Sequence, residues 1–196
     1  MKTSRIGLAL ACTILALAGC ATVTDAPAGA YQVGTAYHVT LGRHWSDVSA
    51  LVGVHQPGVR TLSVDGPLLN RLYLSEGLAP GAALVTSQVK ERPTPTFKAD
   101  LTPTEMIEFV TDSVAALGYV KVESSTPRPG KFGDADGVRF DLSARTQEGL
   151  DISGAALTAV RGGKLYVILF LAPSEHYFGD GLPEVEQIMK SAAMTG

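Results

Sequence analysis

Residues Lys164 to Ala172 read Lys-Leu-Tyr-Val-Ile-Leu-Phe-Leu-Ala, with the single charge at one end. In an extended chain alternate side chains point to opposite faces. Leu165, Val167, Leu169 and Leu171 therefore form one row, and Tyr166, Ile168, Phe170 and Ala172 the other. Both rows are apolar, and a strand of this kind must lie inside a sheet that is covered on both faces. An edge position and a sheet with one wet face are excluded, so the rest of the chain has to supply two covering layers.

Turn signals place the neighbours of this strand. Arg161-Gly162-Gly163 joins it to Leu150–Val160, and Gln147-Glu148-Gly149 joins that segment to Val138–Arg145, which makes the three an antiparallel meander. Val138, Phe140, Leu142 and Ala144 face inward, and Arg139, Asp141, Ser143 and Arg145 outward, as in a strand nearer an exposed edge. Upstream, Tyr31–Leu41 reads as a first strand, and Val59–Val64 with Leu68–Leu74 as a hairpin about Asp65-Gly66. Gln88–Lys98, with Pro93 and Pro95, reads as an extended connector. Thr126–Gly137 contains Pro127, Pro129, Gly130, Gly133 and Gly137 and reads as a long loop.

Two helices stand out. Thr102-Pro103-Thr104-Glu105 is a capping box with proline at the first helical position, and Leu101 with Met106 forms a hydrophobic staple. Met106, Ile107, Phe109, Val110, Val114 and Leu117 follow at helical spacing, and Gly118 ends the run. A closing helix is expected over Pro183–Ala193, with Leu182, Val185, Ile188, Met189 and Ala192 on one stripe. Two amphipathic helices and a strand apolar on both sides predict an α+β fold, an antiparallel sheet flanked by helices on both faces as an α/β/α sandwich.

At the amino end, Lys2 and Arg5 precede the apolar run Ile6–Ala18. This is the build of an export signal and falls short of the ~20 residues of a spanning helix. The run ends in Leu17-Ala18-Gly19-Cys20, which resembles the bacterial lipobox. That resemblance implies that Cys20 is lipidated and becomes the first mature residue. Ala21, rather than Asp, at the next position is similar to the Gram-negative pattern for release to the outer membrane. Several acyl chains hold a protein on a bilayer firmly where one does so only marginally. The expected organisation is a lipoprotein signal peptide over 1–19, a lipidated tether over 20–30 and a single domain over 31–196, facing the periplasm.

Of 196 residues, 16 are Lys or Arg and 19 are Asp or Glu, a formal charge of −3. Loss of residues 1–19 removes Lys2 and Arg5 and no acid, leaving 14 bases against 19 acids. A nucleic-acid partner, which requires a basic footprint, is thereby excluded. Cys12 leaves with the signal and Cys20 carries the lipid, so no disulfide forms and burial alone holds the fold.

Lys164–Pro173, the Tyr177-Phe178 pair and the ending Ile188-Met189-Lys190-Ser191 resemble the C-terminal half of the Mog/PsbP-like fold. The order hairpin, helix, strand, meander, helix over Tyr31–Met194 is similar too. The resemblance implies an α/β/α sandwich of the kind shared by an extrinsic photosystem II subunit, a Ran-binding protein and many bacterial lipoproteins. It also implies an accessory or binding role rather than an enzymatic one, and it assigns no functional residue.

Chemistry-bearing motifs are sparse. The sequence has no Gly-x-Ser-x-Gly, His-Glu-x-x-His or Walker loop. His38, His44, His55 and His176 are scattered, and no metal site or cofactor is implied. Asp134-Ala135-Asp136-Gly137 starts a calcium-loop pattern without finishing it and reads as a polar turn.

Glu175, His176 and Tyr177 put a carboxylate, an imidazole and a phenol in sequence, suited to acid–base work or to a ligand, or simply to packing at the strand end. His44 and Trp45 pose the same choice, with Trp45 in the core or as a cleft wall. Arg128 and Lys131 are either solvated or meet an anionic partner. The leading expectation is a non-catalytic, lipid-anchored accessory domain that binds a partner protein or small ligand through Thr126–Gly137 and Glu175–Phe178. The alternatives are a periplasmic hydrolase centred on His176 with Glu175 or Asp47, and a structural envelope lipoprotein.

Overall fold

The computed structural model describes residues 23–51 and 56–195; Cys20, the export segment and His55 lie outside them. Along the chain run β1 (Thr24–Ala26), β2 (Gly29–Val33), β3 (Tyr37–Leu41), β4 (Trp45–Asp47), β5 (Val59–Ser63) and β6 (Arg71–Ser75). After α1 (Pro103–Ala116) come β7 (Val120–Phe132), β8 (Ala135–Arg145), β9 (Asp151–Arg161) and β10 (Lys164–Pro173), then α2 (Tyr177–Ser191) and β11 (Ala193–Met194). Eight strands form one antiparallel sheet in the order β1-β4-β5-β6-β10-β9-β8-β7, and β11-β3-β2 form a second.

The doubly apolar strand sits where its residues require. β10 lies between β6 and β9, with Ile168 opposite Leu74 on one side and Leu157 on the other, and it is buried from Leu165 onward. On one face Tyr166, Ile168, Phe170 and Ala172 meet Val33, Tyr37, Val39 and Leu41 of the small sheet together with Val185, Ile188 and Met189 of α2. On the other face Leu165, Val167, Leu169 and Leu171 meet Met106, Phe109, Val110 and Val114 of α1. Leu78, Leu84, Val85 and Phe97 join them from the segment between β6 and α1, which has no regular structure over 79–102. Each of these large side chains contributes about 1.5–3 kcal/mol by burial.

The expected α/β/α sandwich is therefore corrected. Among the described residues there are two helices, of 14 and 15 residues, against eleven strands. The molecule is chiefly antiparallel sheet, and neither covering layer is built of helix alone. A strand apolar on both sides requires cover without specifying what provides it. Here a second sheet and an irregular segment do much of what helices were expected to do.

α1 forms as its sequence dictates. The Thr102 hydroxyl accepts from the Glu105 N–H at 3.3 Å, and the Glu105 carboxylate accepts from the Thr102 N–H at 2.8 Å, satisfying two otherwise orphaned donors. These bonds to Thr102 hold the Glu105 carboxyl below its ordinary pKa. The meander turns also form, with Gly162 and Gly163 both at positive φ (57° and 72°), as a tight two-residue hairpin needs.

Other elements differ from expectation. Tyr31–Leu41 is a hairpin, β2 and β3, turning at 34–36, in place of one strand. β1 falls within residues 20–30, and Ala26 is fully buried against the core. Thr126–Gly137 is no loop: β7 and β8 continue through it as a long hairpin with register shifts at Val120/Glu123 and Ser125/Arg128. β7 is the outermost strand, so Pro127 and Pro129 cost no needed ladder donor. α2 starts at Tyr177, six residues before the expected Pro183. Its glycines suggest a loop, yet a Cβ on Gly181 would stand 2.6 Å from the Phe170 ring, so glycine is what lets the helix lie on the sheet there.

Candidate functional site

The chain leaves β10 through a tight turn. The Tyr177 N–H donates to the Glu175 carbonyl at 2.8 Å across His176, which is held at φ 65° and ψ −70°. This is the strained form of the three-residue turn. Glu175 and His176 point into solvent, and the imidazole Nδ1 has only the exposed Asp180 carboxylate for company, at 3.4 Å. The Tyr177 ring stands edge-on to the imidazole at 5.1 Å, and Phe178 stacks on Phe170 at 5.9 Å. The trio is thus adjacent but outside any of the clefts described below.

The other early candidates are spread apart. His44 Nε2 contacts Asp25 at 2.9 Å on the open surface. Trp45 is a core residue, 1% exposed, with the Arg43 guanidinium 5.7 Å from its ring. Asp47 is engaged elsewhere than with His176. It accepts from the Tyr31 hydroxyl at 3.1 Å and the Ser49 N–H at 3.0 Å, with Arg60 at 3.9 Å. Burial first, and then this carboxylate, push the Tyr31 phenol well above its ordinary pKa. The bond ties the small sheet to the large one. Asp134 lies in the turn of the β7–β8 hairpin and pairs with Arg161, and Asp136 lies at the start of β8 and pairs with Lys131.

Arg128 is the candidate that lies in a cleft. Between the β7–β8 hairpin and the second half of α2 there is a cavity of 310 Å³ lined by Arg128, Lys131, Arg139, Glu186, Met189 and Lys190 over Leu157, with Gly130 on its wall. A Cβ on Gly130 would approach Leu157 Cδ1 to 2.7 Å, so a larger residue would intrude on the floor. Four side chains of alternating charge form a closed ring at this cleft. Arg128 meets Asp141 at 3.3 Å, Asp141 meets Arg139 at 2.7 Å, Arg139 meets Glu186 at 2.7 Å, and Glu186 meets Arg128 at 3.6 Å. The Arg139 guanidinium is only 6% exposed, and it also donates to the Phe140 carbonyl.

Arg139 was expected to face outward into solvent, and this is a correction. The alternation along β8 is as read, but α2 lies over that face and buries the residue. Only Glu186, on the flank of the α2 apolar stripe, carried a trace of this in the sequence. A larger depression of 560 Å³ over Arg71, Gln88, Tyr119 and Gln147 holds none of the candidate residues. Among the described residues no group of three or more His, Cys, Asp or Glu side chains is placed to hold a metal ion, and no helix is long and apolar enough to cross a membrane.

No protein-family model matches the chain, and no curated protein matches it. Among solved structures, cyanobacterial PsbP (CyanoP) from Synechocystis is similar at a TM-score of 0.51 with 14% identity, over 91% of this chain and 95% of that one. LpqN of Mycobacterium tuberculosis, described as involved in cell envelope biogenesis, aligns at a TM-score of 0.37 with 11% identity, over 92% of this chain and 88% of that one. The first of these supports a PsbP-like fold for this chain.

Proposed function

We propose that the protein is a non-catalytic accessory protein of the cell envelope, held by a lipid on Cys20 and facing the periplasm at the outer membrane. It takes a small ligand, or a short segment of a partner protein, in the cleft between the β7–β8 hairpin and α2. The observation that carries this reading is the cleft itself. It gathers Arg128, Lys131, Arg139 and Lys190 around an apolar floor, while His176 stands in solvent with no hydroxyl of the described residues bonded to it. The PsbP-like fold supports the accessory role, and the resemblance of residues 1–20 to an export signal ending in a lipobox supports the compartment. Three residues separate Cys20 from Thr24, a reach of at most about 14 Å over four residue steps, so a lipid on Cys20 holds the β1 edge close to the headgroups.

The test is capture from solubilised envelopes with the full-length protein, comparing wild type with an Arg128→Ala/Lys190→Glu variant of unchanged melting temperature. A ligand or partner retained by the wild type and lost by the variant supports the reading. Retention that ignores the cleft but depends on His176, or turnover abolished by His176→Ala, overturns it.

A further inference from the structure

The cleft described above has a charge pattern at odds with the rest of the molecule. The chain is acidic, with a formal charge of −3, yet the cavity lining carries Arg128, Lys131, Arg139 and Lys190 against the single carboxylate of Glu186. Glu186 is itself already matched, since its Oε1 lies 2.7 Å from Arg139 and 3.6 Å from Arg128. Asp141 is likewise spent on the same two arginines. Lys190, exposed on the last turn of α2, makes no ion pair with any described residue, and Lys131 pairs only with Asp136, whose side chain is 90% exposed. A pair that open to water contributes little. The two lysines are therefore available charge, whereas the two arginines are a fixed frame.

Under the lysines the floor is apolar. Leu157 and Met189 are each 3% exposed, and a methionine adapts its shape to what it meets. The cavity volume of 310 Å³ lies at the small end of ligand sites, about 300–1,000 Å³. Its size suits a compact molecule.

We infer that the cleft binds a small organic anion, a phosphate or carboxylate head on a short apolar body. Lys131 and Lys190 take the head, and Leu157 and Met189 take the body. Arg139 is a positioning residue, which fixes α2 through Glu186 and keeps that carboxylate from repelling the ligand. This rests on the cleft being the binding site and adds the chemical class of what it binds. The head belongs either to a soluble metabolite or to an anionic lipid of the bilayer to which the chain is tethered.

The experiment titrates full-length protein in nanodiscs of phosphatidylcholine with phenyl phosphate, inorganic phosphate, benzyl alcohol and phenyltrimethylammonium, followed by calorimetry and by amide resonances around residues 128–131 and 186–190. Phenyl phosphate is expected to bind saturably there. Lys131→Glu and Lys190→Glu each weaken it roughly tenfold without lowering the melting temperature. In discs containing phosphatidylglycerol, weaker binding of the probe identifies the lipid head as the occupant, and unchanged binding identifies a soluble one; either supports the anion site.

Equal binding of inorganic phosphate overturns the apolar half of the inference. Preference for benzyl alcohol or phenyltrimethylammonium overturns the anion while leaving the cleft a binding site. No saturable shift at these residues with any probe overturns both the anion and the cleft.

Discussion

His176 holds a backbone geometry that glycine adopts freely and other residues adopt at a cost of order 1–2 kcal/mol. Its side chain gains an exposed contact with Asp180 and an edge-on contact with the Tyr177 ring in return. His176→Gly is therefore expected to raise the melting temperature by about 2–4 °C, as measured by thermal unfolding. A fall would show that the imidazole does more than fill the turn.

The tyrosines give a second expectation at this scale. Tyr31, Tyr37 and Tyr73 all have phenols raised above 10.0, each chiefly by burial. The folded state thus keeps its protons where the unfolded chain releases them. The stability this contributes is whole below pH 10 and is lost as the pH climbs above it toward the higher folded values. Alkaline titration should show phenolate absorbance rising together with loss of tertiary circular dichroism. Early ionisation in an intact fold would contradict the burial. What single residues reveal is uneven: Thr102 and Glu105 announce their bonds by spacing alone, whereas the burial of Arg139 depends on a helix 47 residues away.

At the level of elements, the charge ring is what fastens α2 to the hairpin. Glu186→Ala leaves the buried Arg139 with Asp141 as its remaining carboxylate and is expected to cost about 1–3 kcal/mol. Glu186→Ala combined with Arg139→Met removes the stranded charge and should recover much of that loss in chemical denaturation. Additive losses would mean the two residues are not coupled.

The outer strand is managed in the opposite way, by refusing contacts. β7 runs 13 residues along the margin of the large sheet, with Pro127, Pro129 and two register shifts interrupting its free donors. Such devices keep edges from pairing with other chains. Pro127→Val with Pro129→Val is expected to leave the monomer folded and to promote self-association in size-exclusion chromatography. An unchanged elution would show that the bulges alone protect the edge. The same prolines explain why this hairpin reads as a loop. Proline argues against a strand only where its N–H would be needed, and a sequence does not say which strand is outermost. The Gly179–Pro183 stretch hid the start of α2 for a similar reason, because the close approach of Gly181 to Phe170 is a tertiary fact.

For the molecule as a whole, the doubly apolar β10 and the meander were legible because period and turn chemistry are local. What covers β10 was not, since cover by the β2–β3 hairpin and by Leu78, Leu84, Val85 and Phe97 follows from long-range packing. Of the site, Arg128 and Lys131 could be picked out from the sequence, while Arg139, Glu186 and Lys190 came together only through the docking of α2. The functional account rests on a compartment as well as on a cleft. Its short link from Cys20 to β1 and its choice of bilayer partners both presuppose an acylated amino terminus. Mass spectrometry of the amino-terminal peptide from protein purified out of native membranes tests this most directly. The account expects a peptide that begins at Cys20 and carries a diacylglyceryl thioether. A free thiol at Cys20, or a mature chain that begins elsewhere, would contradict it.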